Sequence, residues 1–377
     1  MKICFFKLSF NLIFVFFALF PLSAQTRYPR IPRERPFWFV LEEGKKAFRE
    51  GEYGAALALF EEARTERRDR YTRFETIFIS LLSIGEVRRI GDTLEVIEKY
   101  IEERNQFDSA AALEELIYRV GRDALRNSAK TALEYFGRLK EYPEAEFWIG
   151  EVYRLEGETA IAIKQYRKAL EVNIEAESAQ RALEVRYKIA ELLLAEQNWT
   201  QLEAVLNEII QGDTLWNASD NFVRNAMTRT LEGDGINAFL KMYRYRNDDQ
   251  EKAHRMLGEF CYKSGRYILA ESHLAFAVLA QSTVIVEEAV RRRFDFEFTT
   301  LENLAAEISR RGAIKDYIVK VDYYRTLYFL GAALYANGKA PPARGVWSFV
   351  AGNSDAGEWG RRAQNQLRAP FVESLKF

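Results

Sequence analysis

The stretch GEVYRLEGETAIAIKQYRKA, residues 150–169, decides the fold. Its framework is Gly150, Tyr153, Gly157, Ala162, Tyr166 and Ala169, and the same frame returns as Gly258, Cys261, Gly265, Ala270, Leu274 and Ala277. It fits again at Gly331, Leu334, Gly338, Ala343, Trp347 and Val350, and at Gly44, Ala47, Gly51, Ala56, Phe60 and Ala63. A weaker copy runs Ala190, Leu193, Gln197, Leu202, Leu206 and Ile209. The first small residue sits mid-helix where the next helix crosses, and a larger side chain there would hold the two backbones apart. The second glycine falls where the first helix must stop; it supplies the left-handed conformation that caps a helix and allows a tight turn. Tyr53, Trp199 and Tyr267, two places after that turn, lock the hairpin. The small, large, small series then follows at spacings of four and three, which puts all three residues on one face of the second helix.

This pattern resembles the tetratricopeptide repeat, a helical hairpin of roughly 34 residues with small residues at the crossing, a glycine turn and an Ala-aromatic-Ala second helix. The resemblance covers most of the chain beyond its first residues. It implies an all-α fold, a right-handed α-solenoid superhelix of stacked TPR-like helical hairpins over residues 37–368. The copies start near whole multiples of the unit, so degenerate pairs are expected to fill the gaps and bring the total to roughly eight to ten. Candidate fillers are Thr72 to Val87 with Thr93 to Glu103, Ala110 to Val120 with Lys130 to Leu139, and Asn221 to Leu231 with Ile236 to Tyr243. The stretch from Ala289 to Val321 is the least regular. The chain departs from the family in lacking the helix-closing proline: Arg68 and Ile174 occupy the equivalent places, which implies longer turns between repeats.

Composition agrees with helices. A hydrophobic share of 48% excludes a disordered chain, and 8 prolines and 21 glycines over 377 residues are too few to punctuate a many-stranded sandwich. Residues 1–24 read as a secretory signal, with Lys2 and Lys7 ahead of an apolar stretch from Leu8 to Phe20 and a small-residue exit at Pro21-Leu22-Ser23-Ala24. An uncleaved anchor is the alternative, although the stretch falls short of the roughly 20 apolar residues that span a bilayer. Cys4 lies inside the charged region and not after the exit, which argues against a lipoprotein. After cleavage no stable membrane insertion is expected. Residues 25–36, with Pro29, Pro32 and Pro36 among arginines, read as an extended linker or a docking arm, and residues 369–377 as a tail. The apolar residues after Pro370 suit a cover for the last repeat or a docking segment.

Removing the signal takes two lysines from the 54 basic residues and none of the 55 acidic ones, so nucleic acid is a poor partner. Cys261 is then the one cysteine left, and packing must stabilise the fold without an intramolecular disulfide. His254 and His273 share a repeat with Cys261, but a seven-residue helical spacing separates His254 from Cys261 by roughly 10 Å, too far to share a metal. No metal or cofactor is expected. Phosphate loop, serine elbow and His-Glu-x-x-His zinc motif are all missing, and carboxylate pairs such as Glu42/Glu43, Glu61/Glu62 and Glu287/Glu288 read as solvated helix faces. The tripeptides Asn198-Trp199-Thr200 and Asn217-Ala218-Ser219 fit the N-glycosylation pattern, which matters only in a eukaryotic secretory route. The chain is not expected to be an enzyme.

What remains is a surface. In tetratricopeptide arrays the first helix of each pair lines the concave side, and the resemblance carries that face onto Trp38, Lys45, Phe48, Arg49, Phe147, Glu151, Arg154 and Tyr187. From later repeats it adds Glu191, Arg255, Glu259, Tyr262, Lys263, Arg325, Tyr328 and Tyr335. Rings interleaved with both signs of charge suit other proteins or peptides as partners, because rings bury area while charges set register. Family members that grip a C-terminal carboxylate carry an asparagine in the groove; Lys45, Glu151, Glu191, Glu259 and Ala332 stand at the matching position, which puts that mode in doubt. The expected function is an exported scaffold or adaptor in the bacterial cell envelope, periplasmic or envelope-associated. The alternative is an accessory subunit docking a separate cell-wall enzyme or solute-transport component. The residues choose neither a pathway nor an oligomeric state.

Overall fold

The computed structural model describes residues 35–83, 129–172, 179–217, 222–309 and 312–373, and every regular element among them is helical. The first copy of the frame folds as α1 (Phe37–Arg49) and α2 (Tyr53–Ser83). After α3 (Ala129–Lys140), the second copy is α4 (Pro143–Leu155) with α5 (Thr159–Glu171), and the weak copy is α6 (Ala179–Ala195) with α7 (Trp199–Ile210). A short pair, α8 (Phe222–Gly233) and α9 (Gly235–Met242), precedes α10 (Glu251–Lys263) and α11 (Tyr267–Arg292). Then come α12 (Leu301–Ile308), α13 (Gly312–Lys320), the last copy as α14 (Tyr323–Ala336) with α15 (Ala340–Gly352), and α16 (Gly357–Arg368).

The five hairpins turn in one way. Gly51, Gly157, Gly265 and Gly338 have φ between 76° and 82°, and Gln197 takes the left-handed conformation at 57° in the weak copy. One residue later a backbone N–H reaches back across the turn, Glu158 to the Tyr153 carbonyl at 2.9 Å and Arg266 to the Cys261 carbonyl at 2.8 Å, closing the helix end with the Schellman bond. The crossing glycines are as tightly enclosed as the spacing predicts. A Cβ at Gly150 would lie 2.7 Å from the Tyr166 ring, and one at Gly258 would lie 2.5 Å from Leu274. Ala162, Ala169, Ala270, Ala277 and Ala343 are all fully buried on the second helices.

Stacking follows a single rule. The second helix of each hairpin packs on the first helix of the next, α2 on α4, α5 on α6, α7 on α10 and α11 on α14. Each hairpin therefore buries its apolar stripe against its neighbour, which is the logic of an all-α solenoid. Charges reinforce the seams: Glu146 of α4, fully buried, accepts from Arg64 of α2 at 3.3 Å and pairs with Lys168.

Two expectations need correction. Thr72 to Val87 does not begin a new pair, because α2 runs without a break to Ser83; Arg68 stands inside it where the family has its closing proline, and nothing removes the next hydrogen bond. Thr93 to Glu103 and Ala110 to Val120 lie outside the described residues, whereas Lys130 to Leu139 falls within α3. The pair expected from Asn221 to Tyr243 exists as α8 and α9 but does not stack in line: α7 meets α10 directly, while α8 and α9 lie against α15 and α11. Helix α11, 26 residues against the 13 of α10, is longer than its hairpin partner, and α9 packs on it as well as on α15.

Helix α11 is long and apolar enough to cross a membrane, yet 78% of its apolar window is buried inside the fold. It is the core helix here. At its middle Gln281 donates to Glu251 at the start of α10, to the Val321 carbonyl at 2.8 Å and to Thr326 at 3.3 Å. Burial pushes the Glu251 carboxyl up to about 7, against the attraction of Arg255 and the Gln281 bond. Its folded value lies above its unfolded one, so its contribution is complete below about 4.5 and is lost as pH rises through 7. Glu251→Gln is expected to remove that loss, gaining about 2 kcal/mol on the wild type between pH 5 and pH 8 in urea denaturation. Parallel pH profiles for the two proteins would show that the carboxyl is ionised throughout.

Candidate protein-binding face

The first helices α1, α4, α6, α10 and α14 bring most of the predicted residues together as a ladder that runs from hairpin to hairpin. Lys45 of α1 pairs with Glu144 of α4 at 2.7 Å as well as with its own Glu42 at 2.7 Å. Glu151 of α4 holds Arg154 at 2.9 Å and Lys188 of α6 at 2.9 Å, and accepts the hydroxyl of Tyr166. Burial alone would raise the Glu151 carboxyl, but these three donors outweigh it and hold the group below the usual range. Glu191 of α6 pairs with Lys252 of α10. Tyr187 spans the same joint, donating to the Asp249 carbonyl at 2.6 Å and accepting from the Ala253 N–H at 3.2 Å. Arg255 of α10 meets Glu259 at 3.7 Å and Asp322 at 3.5 Å, and Glu259 pairs with Arg325 of α14.

The depth of these residues differs from expectation. Phe147, Glu151, Glu259, Tyr262 and Tyr328, expected on an open face, are buried. Successive first helices come close enough for facing side chains to pair with one another, so a position that points to the face is covered by its counterpart on the next helix. Lys45, Phe48, Arg154, Tyr187, Arg255, Lys263, Arg325 and Tyr335 are half-buried, and Arg49, Glu191 and Trp38 are exposed, Trp38 at 56%. Phe48 is wedged between Tyr53 and Trp148, with ring centroids at 5.6 and 5.2 Å.

At the α14 end the ladder closes on the chain itself. The segment Ala369–Glu373 leaves α16 in non-helical form and crosses the tyrosines. Tyr335 donates to the Pro370 carbonyl at 3.3 Å, the Glu373 N–H donates to the Tyr262 hydroxyl at 3.1 Å, and the Tyr328 hydroxyl donates to the Glu373 carboxylate. Arg362 and Gln366 of α16 complete the contact, Arg362 as the ion-pair partner of Glu373 and Gln366 by accepting the Phe371 N–H at 3.0 Å. Arg362 and Gln366 were not among the predicted residues; their spacing of four on one helix was the available signal.

A second polar cluster is wholly internal. Asp213, in the turn after α7, accepts from His254 Nε2 at 3.0 Å, and His254 Nδ1 faces His273 Nδ1 at 3.0 Å. Trp216 stacks on His273 with centroids 4.2 Å apart. Cys261 is no part of it: the thiol is buried elsewhere on α10 and pushed up to about 11 by that burial. Among the described residues no three His, Cys, Asp or Glu side chains are grouped as metal ligands.

No family model matches the chain. It is 24% identical over 346 residues to a protein of unassigned function from Treponema pallidum (strain Nichols), covering 90% of this chain and 91% of that one. A protein of unassigned function from Borreliella burgdorferi is 20% identical over 215 residues, 52% of this chain and 66% of the other. Among solved structures, BtubC (BKLC) from P. vanneervenii aligns over 84% of this chain and 96% of its own with a TM-score of 0.29 and 14% identity. The P58(IPK) TPR domain aligns over 89% and 99% with a TM-score of 0.21 and 16% identity.

Proposed function

We propose that the protein is an exported scaffold that holds other proteins or peptides on its first-helix face in a bacterial cell envelope and performs no catalytic step of its own. The ladder carries this reading. One line of paired charges and rings is continued from α1 to α14, half-open to solvent, with Trp38 and Arg49 exposed at one end. Ion pairs between hairpins fix Lys45, Glu151, Glu191, Glu259 and Arg325 in place, so a ligand meets a partly preorganised surface and fewer side chains need ordering on binding. Export rests on the charged and apolar pattern of residues 1–24. The Asp213, His254 and His273 cluster suits a structural role, since its three side chains are buried and the imidazoles stack on Trp216 and Phe276.

Affinity capture of the tagged chain from a crosslinked envelope fraction tests the reading. Trp38→Ala with Arg49→Glu and Lys263→Glu alters the face without touching a buried group. Recovery of specific partners is expected to fall at least tenfold with the triple variant. Equal recovery would move the interaction off this face, and capture of nothing by either protein would remove the scaffold reading.

A further inference from the structure

The contacts of Ala369–Glu373 are those a groove makes with a peptide and not those a core makes with a cap. A capping segment buries its apolar side chains. Here Phe371 is 53% exposed and Val372 41% exposed, while the array takes hold of the Pro370 carbonyl, the Phe371 and Glu373 N–H groups and the Glu373 carboxylate. Recognition thus falls on extended backbone and one acid, and the intervening side chains are left free. That is the mode by which a protein surface reads an extended segment of a partner.

The receiving groups are built into three helices. Tyr262 comes from α10, Tyr328 and Tyr335 from α14, and Arg362 and Gln366 from α16. With the segment seated, Tyr262, Tyr328 and Gln366 are at most 2% exposed, and the Tyr262 and Tyr328 rings also pack on Phe329, with centroids at 5.7 and 5.5 Å. The Arg362 guanidinium lies over Tyr328 at 4.8 Å and Trp359 at 4.7 Å, which fixes its direction. Among the described residues Glu373 is the carboxylate it meets. A guanidinium set between rings and aimed at one point selects a carboxylate there.

We propose that this groove binds an extended acidic segment of a protein partner, with Ala369–Glu373 as its resident competitor. The inference rests on the scaffold reading and names the chemistry of the ligand at one end of the face. A tethered competitor acts at an effective concentration on the order of millimolar, so it sets a threshold: a segment of micromolar intrinsic affinity binds about a hundredfold or more weakly while the tail is seated. Only a partner that matches the acid and presents it at high local concentration displaces the tail.

The test uses the full chain and a fluorescein-labelled, C-terminally amidated peptide of Arg368–Glu373. Glu373→Lys in the chain sets a lysine against Arg362 and empties the groove, and anisotropy is expected to show binding at least tenfold tighter than to the wild type. Adding Tyr328→Phe, which removes only a hydroxyl, or Arg362→Ala should each reverse most of that gain. A peptide carrying lysine in place of its glutamate should not bind. Helical circular dichroism and melting establish that each variant is folded; should Glu373→Lys melt early, Glu373→Gln carries the same comparison. Folded Glu373→Lys that ignores the peptide, or binds it whatever its acid, overturns the proposal and leaves the segment a cover. A wild-type dimer that the peptide dissociates would overturn it in favour of a second copy as occupant. Partner capture that still depends on Trp38, Arg49 and Lys263 while the peptide fails leaves the scaffold reading intact, so the two failures are separable.

Discussion

Gly331→Val is expected to lower the unfolding free energy by about 3 kcal/mol, while Gly345→Ala, on the helix that packs against it, is expected to raise it by about 0.5–1 kcal/mol. Both glycines are helical, so propensity alone favours replacing either one. Space separates them. A Cβ at Gly331 would fall 2.6 Å from Trp347 Nε1 and 2.8 Å from its Cδ1, and the ring cannot retreat: it is fully buried and its N–H donates to the Tyr328 carbonyl at 3.2 Å. Valine must push α14 and α15 apart or turn the indole out of its bond, and either disturbs the last hairpin and the tyrosines it presents. A Cβ at Gly345 meets nothing within 4 Å. Urea denaturation of the two variants checks the sign. Midpoints that move in the same direction would mean that the crossing does not limit helix approach.

The frame was legible because it is enforced locally. A left-handed turn residue, a crossing without a Cβ and a small, large, small face each depend on neighbours within one hairpin, and Gly157, Gly150 and Tyr166 carry all three. Even Gln197, the copy without glycine, folds at the predicted turn because the flanking helices fix the geometry. What was not legible is set between hairpins. Nothing in the residues from Thr72 onward marks the continuation of α2, since a helix without proline or glycine has no local reason to end. Placement of α8 and α9 against α15 depends on which distant apolar face is left uncovered, which no periodicity encodes.

The site shows the same division. Helical spacing gave the direction of Glu151, Glu259, Tyr262 and Tyr328 but not their depth, which follows from Lys188, Arg325 and the tail closing over them. The sequence signal of the tail lies in its apolar residues, whereas the structure holds its backbone and its one acid. His254 and His273 were seen as a pair on one hairpin, yet Asp213, which gives the pair its polarity, sits in a turn with no periodic signal. The seven-residue spacing between His254 and Cys261 does keep the thiol out of the cluster.

Asp213→Ala is expected to cost about 3–5 kcal/mol, the scale of removing one member of a buried charged network. The carboxylate accepts the Leu215 and Trp216 N–H groups, each at 2.9 Å, the Tyr245 hydroxyl, Asn247 Nδ2 at 2.7 Å and His254 Nε2 at 3.0 Å. Alanine would leave all of these donors without their acceptor. Asparagine is a poor substitute, because its amide sets donors against donors. The cluster also gives the stability an acid limb. Burial, then His254 and Arg224, hold the His273 imidazole well below 6.5, so the unfolded chain takes up a proton that the folded chain refuses. This contribution is complete above about 6.5 and is lost as pH falls toward the folded value, and Asp213, held below its ordinary range by its donors despite burial, adds a second loss at lower pH. His273→Gln removes the first of these. Thermal melts at pH 5.0 and pH 7.5 should show the wild type losing more stability on acidification than His273→Gln, even where the variant is less stable at neutral pH. Equal losses would mean that His273 takes up its proton alike in the folded and unfolded chain and is not the group that makes this joint acid-sensitive.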